Sequence, residues 1–287
     1  MSRSRGVLGV GAVVLAAGLG LGAWLGTGRD DAPTPTTTAA AAPPLARLRI
    51  IFPEGFTVRE MGDRVAAVRK IAIARRGVTP RLTKNGYLAA VAKAKPPLAF
   101  RRDWAGKRLE GFLFPALYEF SQYTTGRELV ADQLAAFERQ WAKIDLRYAR
   151  SKNLTPYDVL VIASMIEEET VAPEERRLVA AVIYNRLRRR MPLQIDATTR
   201  YGLGRPGTES LRRSDLESDN PYNTRKRPGL PPTPITNPGL AAMKAAANPA
   251  RVDYLYFVRK PDKVHHFFTA DENEFLRKAC EYGFGCN

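Results

Sequence analysis

Three consecutive carboxylates, Glu167, Glu168 and Glu169, end an otherwise apolar run that reads Ala163-Ser-Met-Ile-Glu-Glu-Glu-Thr170. The run has helical periodicity, so one of the three must lie against its apolar stripe. A carboxyl held there loses water and its pKa rises, which suits a general acid working near neutral pH. At 100° per residue, Val159, Ile162, Ala163 and Ile166 share one face. Glu169 falls beside Ile162 and Ile166, and Glu167 sits on the margin of the stripe. Glu168 projects opposite, with Ser164, into solvent. Carboxylates are unfavourable at the negative end of a helix dipole. Three of them there argue for function over a helix that merely stops in a solvated acidic patch.

The side chains that could serve this acid lie in one long, irregular stretch. Between Met191 and Pro238 regular structure nearly vanishes, and a loop of that length inside a compact domain is usually functional. It carries Gln194, Asp196, Tyr222, Asn223 and Thr224, hydrogen-bonding groups with one aromatic ring, as a sugar cleft needs. Each alone is an ordinary turn residue; the cluster is the signal. The two histidines, His265 and His266, sit on a predicted strand and face opposite sides, so a one-sided metal cluster is not expected and His266 is a candidate for the cleft. The chain has no GxSxG elbow, HExxH, Walker loop or CxxC. Glycan cleavage by general acid–base catalysis is the chemistry these parts can perform.

The elements that must position these groups form an α+β pattern. Arg47 to Phe52 reads as a strand and Thr57 to Val68 as a helix with a Thr57/Glu60 capping box. A second helix follows from Thr83 to Lys93. Leu109 to Phe120 is aromatic and broken by Gly and Pro, so it reads as a buried connector. Glu128 to Arg147 has helical spacing. Thr155-Pro156-Tyr157-Asp158 then opens the helix that ends near Glu169. Val171-Ala172 forms an elbow, and the next helix, from Pro173, runs to Arg188-Arg189-Arg190, where cations suit the dipole. A helix from Pro238 to Ala247 and strands at Tyr254 to Arg259 and Val264 to Thr269 complete the pattern.

The address comes from the N-terminus. Within 287 residues, Gly6 to Gly28 carry no charge over 23 positions, long enough to span a bilayer. Arg3 and Arg5 precede the run, so the positive-inside rule puts the N-terminus in the cytoplasm and the rest outside. A cleaved signal peptide fits less well, because the run is long and lacks a small-x-small cleavage site. Asp30 to Ala46 is a Pro/Thr/Ala spacer. The net charge of +16 comes from scattered basic residues without a nucleic-acid motif; the polyanions expected near such a chain are lipid headgroups and wall polymers, not nucleic acid. Cys280 and Cys286 are equally compatible with a small-loop disulfide and with two free thiols.

Taken in order, ASMIEEET, ERRLVAAVIYNRLRRRMPLQIDATTRYGL, YNTRKRPGLPPTPITNPG, NPARVDYLYFV and His266-x-Phe closely resemble the YceG-like (MltG-type) endolytic murein transglycosylases. The match runs from about Tyr157 to Asn273. FPEGFTVREM and LEGFLFP resemble, more weakly, the LysM-like N-terminal region of that family. The resemblance implies a membrane anchor (7–28) after a cytoplasmic tip (1–6), a linker (29–46), a LysM-like αβ unit (47–120) and a mixed helical and short-strand catalytic domain with a long cleft loop (121–287). It implies a single-pass protein of the cytoplasmic membrane, with its catalytic domain outside, that cuts peptidoglycan glycan strands internally to 1,6-anhydroMurNAc ends without metal or cofactor. Peptidoglycan synthases are candidate partners. The implied catalytic acid is Glu169; Glu167, Gln194, Asp196, Tyr222, Asn223, Thr224 and His266 are the implied substrate-binding or supporting residues. Ala116 stands where the family usually has Asp, and only one LysM-like unit is apparent. The rival readings are a hydrolytic muramidase and a non-catalytic wall-binding scaffold for synthases.

Overall fold

A computed structural model describes residues 46–284 apart from positions 105, 107 and 208. The expected anchor, nearly all of its linker and Cys286 lie outside the described residues. Among the described residues no helix is long and apolar enough to cross a membrane.

The first element among the described residues is strand β1 (Leu48–Ile51), followed by helices α1 (Val58–Arg76) and α2 (Lys84–Lys93). A single turn, α3 (Arg101–Trp104), leads to β2 (Leu117–Phe120), which pairs antiparallel with β1 in the register Leu48↔Phe120 to Ile51↔Leu117. Thr57 caps α1 in a reciprocal box with Glu60, as the sequence predicts. The helix outruns its expected end at Val68 and stops where Gly77 takes a left-handed cap, φ +62°. The expectation of an irregular connector from Leu109 to Phe120 is corrected in its last four residues. Tyr118 and Phe120 point into the core while Leu117 and Glu119 point out, the period of two that a strand requires.

Helices α4 (Gly126–Trp141) and α5 (Arg147–Ser151) lead to α6 (Pro156–Glu169), the central helix. A 3₁₀ turn (Pro173–Glu175) then opens α7 (Arg176–Arg188). The supposedly structureless stretch contains two helices, α8 (Asp196–Leu203) and the short α9 (Arg213–Leu216). The first is eight residues long and ends at a left-handed Gly204, a stop signal that the polar composition of the loop hides. Then come α10 (Leu240–Ala247), the antiparallel pair β3 (Tyr256–Arg259) and β4 (His266–Thr269), and α11 (Glu272–Glu281).

One contiguous core runs from Leu48 through Ala247, so the N-terminal strands and the central helix share it. Helices α7 and α10 pack against α6. Every residue of α6 from Val159 to Ile166 is buried, Ser164 included. This corrects the wheel, which put the Ser164 side in solvent. The segment 233–237 covers that side: Ser164 Oγ accepts from Ile235 N at 3.0 Å and donates to Val161 O. A helix buried on all sides has no solvent stripe to read.

Candidate active site

Helix α6 is held at its start by a Thr155/Asp158 capping box with Pro156 in the first turn. At its other end the Thr170 hydroxyl donates back to Ile166 O. The three glutamates occupy that last turn and meet three different environments.

Glu167 is half-buried, and its Oε2 accepts from Gly239 N at 2.9 Å. Its pKa is raised, first by burial and then by the Glu54 carboxylate, which lies against Gly239. A β-carbon at 239 would meet the Glu54 carboxylate, so that side chain would have to swing away. Glu168 is exposed yet stands in a concavity beside Gly55. Loss of bulk water, then the carboxylates of Glu60, Glu169 and Glu167, lift it to about 7.

Glu169 is half-buried, and among the described residues no donor reaches its carboxyl. Burial is the main cause of a pKa pushed up to about 7, and Asp196 raises it further. Arg259, Arg200 and Arg225 act in the opposite sense. A carboxyl so poised is partly protonated at neutral pH and has its lone pairs free for another molecule.

Asp196, the first residue of α8, is held by Arg225, whose Nε and Nη2 lie 3.0 and 2.7 Å from Oδ1. It therefore acts on Glu169 as a fixed neighbouring charge. Asp196→Asn is expected to move the alkaline fall of activity to lower pH, because removing that charge eases the ionisation of Glu169. A pH–rate profile of the purified variant checks this; an unchanged limb rules out the coupling.

The remaining residues singled out in the sequence divide into those at the surface and those inside. Gln194 is exposed and takes the left-handed backbone conformation, φ +58°, unusual for a residue with a side chain. Arg186, itself buried, holds it in place: its guanidinium donates to Gln194 Oε1 at 3.0 Å and to the carbonyls of Pro192, Leu193 and Leu255. Tyr222 packs edge-on against Tyr201, and its hydroxyl lies 2.9 Å from Thr233 Oγ1. Asn223 is fully buried, with Nδ2 donating to Leu216 O and Ser218 O and Oδ1 accepting from Thr199 Oγ1 and Arg225 N. Thr224 is buried as well; its Oγ1 accepts from Ile195 N, and its carbonyl accepts from Gln194 N. Asn223 and Thr224 thus tie the loop to the start of α8, which fixes Gln194 and Asp196.

Both histidines clip the elbow that follows Glu169. His266 is buried, with Nδ1 2.7 Å from Glu175 Oε2 and its backbone N–H donating to Oε1 at 2.9 Å. Exposed His265 lies against Asp262 and Glu174. Among the described residues no three His, Cys, Asp or Glu side chains are grouped to hold a metal ion.

Sequence reasoning missed Glu54, Glu60, Arg200, Arg259 and the buried Arg186 as neighbours of the site. The arginines read as scattered surface charge, and pairs that distant along the chain leave no local pattern. It also missed Glu110, which is 3% exposed. The available signal was a carboxylate inside an aromatic, core-forming run, which must find partners.

The fold and the site together define a mixed α/β domain whose central helix presents one unbonded, half-buried carboxyl beneath a tightly braced polar loop, an acid–base arrangement. Residues 33–281 match the YceG-like family, and the chain belongs to that family. It is 34% identical over 259 residues to the "Endolytic murein transglycosylase" of Streptococcus pneumoniae strain R6, covering 84% of this chain and 45% of that protein. The protein of the same name from Bacillus subtilis strain 168 is 39% identical over 152 residues, 53% of this chain and 42% of the relative. The chain therefore spans less than half the length of the curated relatives it matches. The crystal structure of a yceG-like protein from Listeria monocytogenes superposes with a TM-score of 0.66 at 29% identity, covering 80% of this chain and 76% of that one.

Proposed function

We propose that this chain is an endolytic lytic transglycosylase that cleaves the MurNAc-β-1,4-GlcNAc bond within nascent peptidoglycan strands and leaves 1,6-anhydroMurNAc ends. The observation that carries the reading is the Glu169 carboxyl, half-buried, free of hydrogen bonds among the described residues and lifted to about 7. Family membership and the name of the relatives support it.

In the reaction, neutral Glu169 gives its proton to the glycosidic oxygen as the C1–O bond breaks. The carboxylate so formed takes the proton of the sugar's own 6-hydroxyl while O6 bonds to C1. The enzyme ends protonated as it began, and no water is consumed. One carboxyl serves both steps, so no paired acid is needed. Glu167, Gln194, Asp196, Tyr222, Asn223, Thr224 and His266 support Glu169 or position sugars: Gln194 and Asp196 from the cleft wall, the others by bracing it.

The uncharged run from Gly6 to Gly28 is read as a single membrane anchor with the N-terminus in the cytoplasm, which places the catalytic residues outside beside newly made wall. Residues 47–120 are read as LysM-like; the order strand, two helices, a single helical turn and a strand antiparallel to the first supports this. Synthases that make the strands are the partners such a position favours.

Digestion of purified glycan strands by the full chain tests the reaction. Product ends lighter by one water than reducing ends are expected by mass spectrometry. Reducing ends alone would show a muramidase, with Glu167 or Asp196 as the second carboxylate.

A further inference from the structure

Between Arg64 and Arg102 the chain carries eleven basic residues and no acidic one. The stretch covers most of α1 and all of α2, so folding concentrates on this helical pair a charge that looks scattered along the sequence. The second half of α1 presents Lys70, Arg75 and Arg76 to solvent, with two exposed isoleucines among them: Ile71, 54% exposed, on the side of β1, and Ile73, 39% exposed, on the side of α2. Arg47, Arg49, Val68, Ile71 and Arg76 line one groove of about 410 Å³ between β1 and α1. Two residues on from Arg49, and so on the same face of its strand, Ile51 is also exposed.

We propose that this face of β1 and α1 lies on an anionic lipid surface. Cations alone would suit any polyanion. Large aliphatic side chains set among cations suit a bilayer interface, where headgroups take the charge and the acyl boundary takes the isoleucines. A hydrated wall polymer gives Ile51 and Ile71 nothing to bury against. The position agrees: Arg47, which lines the groove, directly follows the spacer, and residues 29–46 reach at most about 60 Å from the uncharged run even if fully extended. The inference rests on the anchor reading for that proximity, not for its chemistry.

The full chain is mixed with vesicles of phosphatidylcholine alone or with added phosphatidylglycerol. Lysines are acylated by a water-soluble ester and the sites counted by mass spectrometry. Lys70 is expected to label at least about threefold less on the anionic vesicles, with the difference lost in high salt, while Lys260 beyond β3 does not change. Arg75→Glu combined with Ile71→Ser, both at exposed positions, removes the protection of Lys70. A chain that floats with both vesicle types yet labels equally at Lys70 overturns the docking face and leaves the anchor intact. A chain that floats only with the anionic vesicles, with Lys70 protected, overturns the anchor and keeps the face. Stronger protection by a soluble anionic wall polymer than by lipid also overturns the proposal.

Discussion

Purified Glu169→Gln is expected to lose roughly 10³-fold in glycan cleavage, the scale of a positioned general acid, while still binding wall material. Gln keeps the shape and cannot donate the proton. Glu168→Gln is the control, because Glu168 shares the elevated pKa but stands exposed on the other side of the helix end. It should lose less than about tenfold, the share expected of electrostatics alone at an exposed site. In the wild type, activity should fall as pH rises through about 7, where Glu169 gives up its proton. The same substitution has a second signature. A carboxyl whose folded pKa is raised binds more protons in the folded state between its unfolded value and about 7, so stability falls with rising pH across that window. Glu169→Gln escapes this loss and should be more stable than wild type by about 1–2 kcal/mol near pH 8, after allowance for solvent screening, with little difference near pH 5. Thermal unfolding at the two pH values measures it. Undiminished cleavage by Glu169→Gln would return the protein to the scaffold reading.

The half-burial of Glu169 and the exposure of Glu168 were legible because the wheel needs only local spacing: Ile162 and Ile166 carry Glu169 to the core edge whatever packs on the helix. The raised pKa of Glu168 was not legible, because the neighbours beside it, Gly55 and Glu60, lie about a hundred residues upstream. The same contrast holds for the fold. Capping boxes at Thr57 and Thr155 lie within four residues and read correctly. Strand β2 depends on β1, about seventy residues away, and was hidden in an aromatic run. In the long loop, Asn223 and Thr224 were singled out by residue type as hydrogen-bonding groups of a cleft. Their work is to brace from inside, since both are buried with their bonds made to backbone and to neighbouring side chains.

Glu110→Ala is expected to cost about 3–5 kcal/mol of stability, because it strands buried donors that the carboxylate now satisfies. Its Oε1 accepts from Val58 N and from Asn237 Nδ2, both at 2.8 Å, and the Tyr201 hydroxyl lies 3.1 Å from Oε2. Those partners belong to the start of α1, the segment covering α6 and helix α8, so one side chain joins three parts of the fold. Asn237 extends the joint. Its Oδ1 accepts from Gly111 N and Leu113 N, its own N–H donates to Phe56 O, and its carbonyl accepts from Gly55 N. Two residues on, Gly239 N holds Glu167. Loss of Glu110 should therefore loosen the wall beside the catalytic turn as well as lower the melting temperature, by roughly 10 °C for a domain of this size. Burial pushes the Glu110 carboxyl to about 8, so at neutral pH it is mostly protonated and Gln is a close replacement. Glu110→Gln should keep most of the stability and activity that Ala loses. It should also remove the part of the pH dependence that Glu110 causes, a loss of stability that grows from the unfolded value up to about 8 and is complete above it. Melting curves near pH 6 and pH 9 for wild type, Gln and Ala separate these effects, and an Ala variant as stable as Gln would show that the buried carboxyl is not the joint.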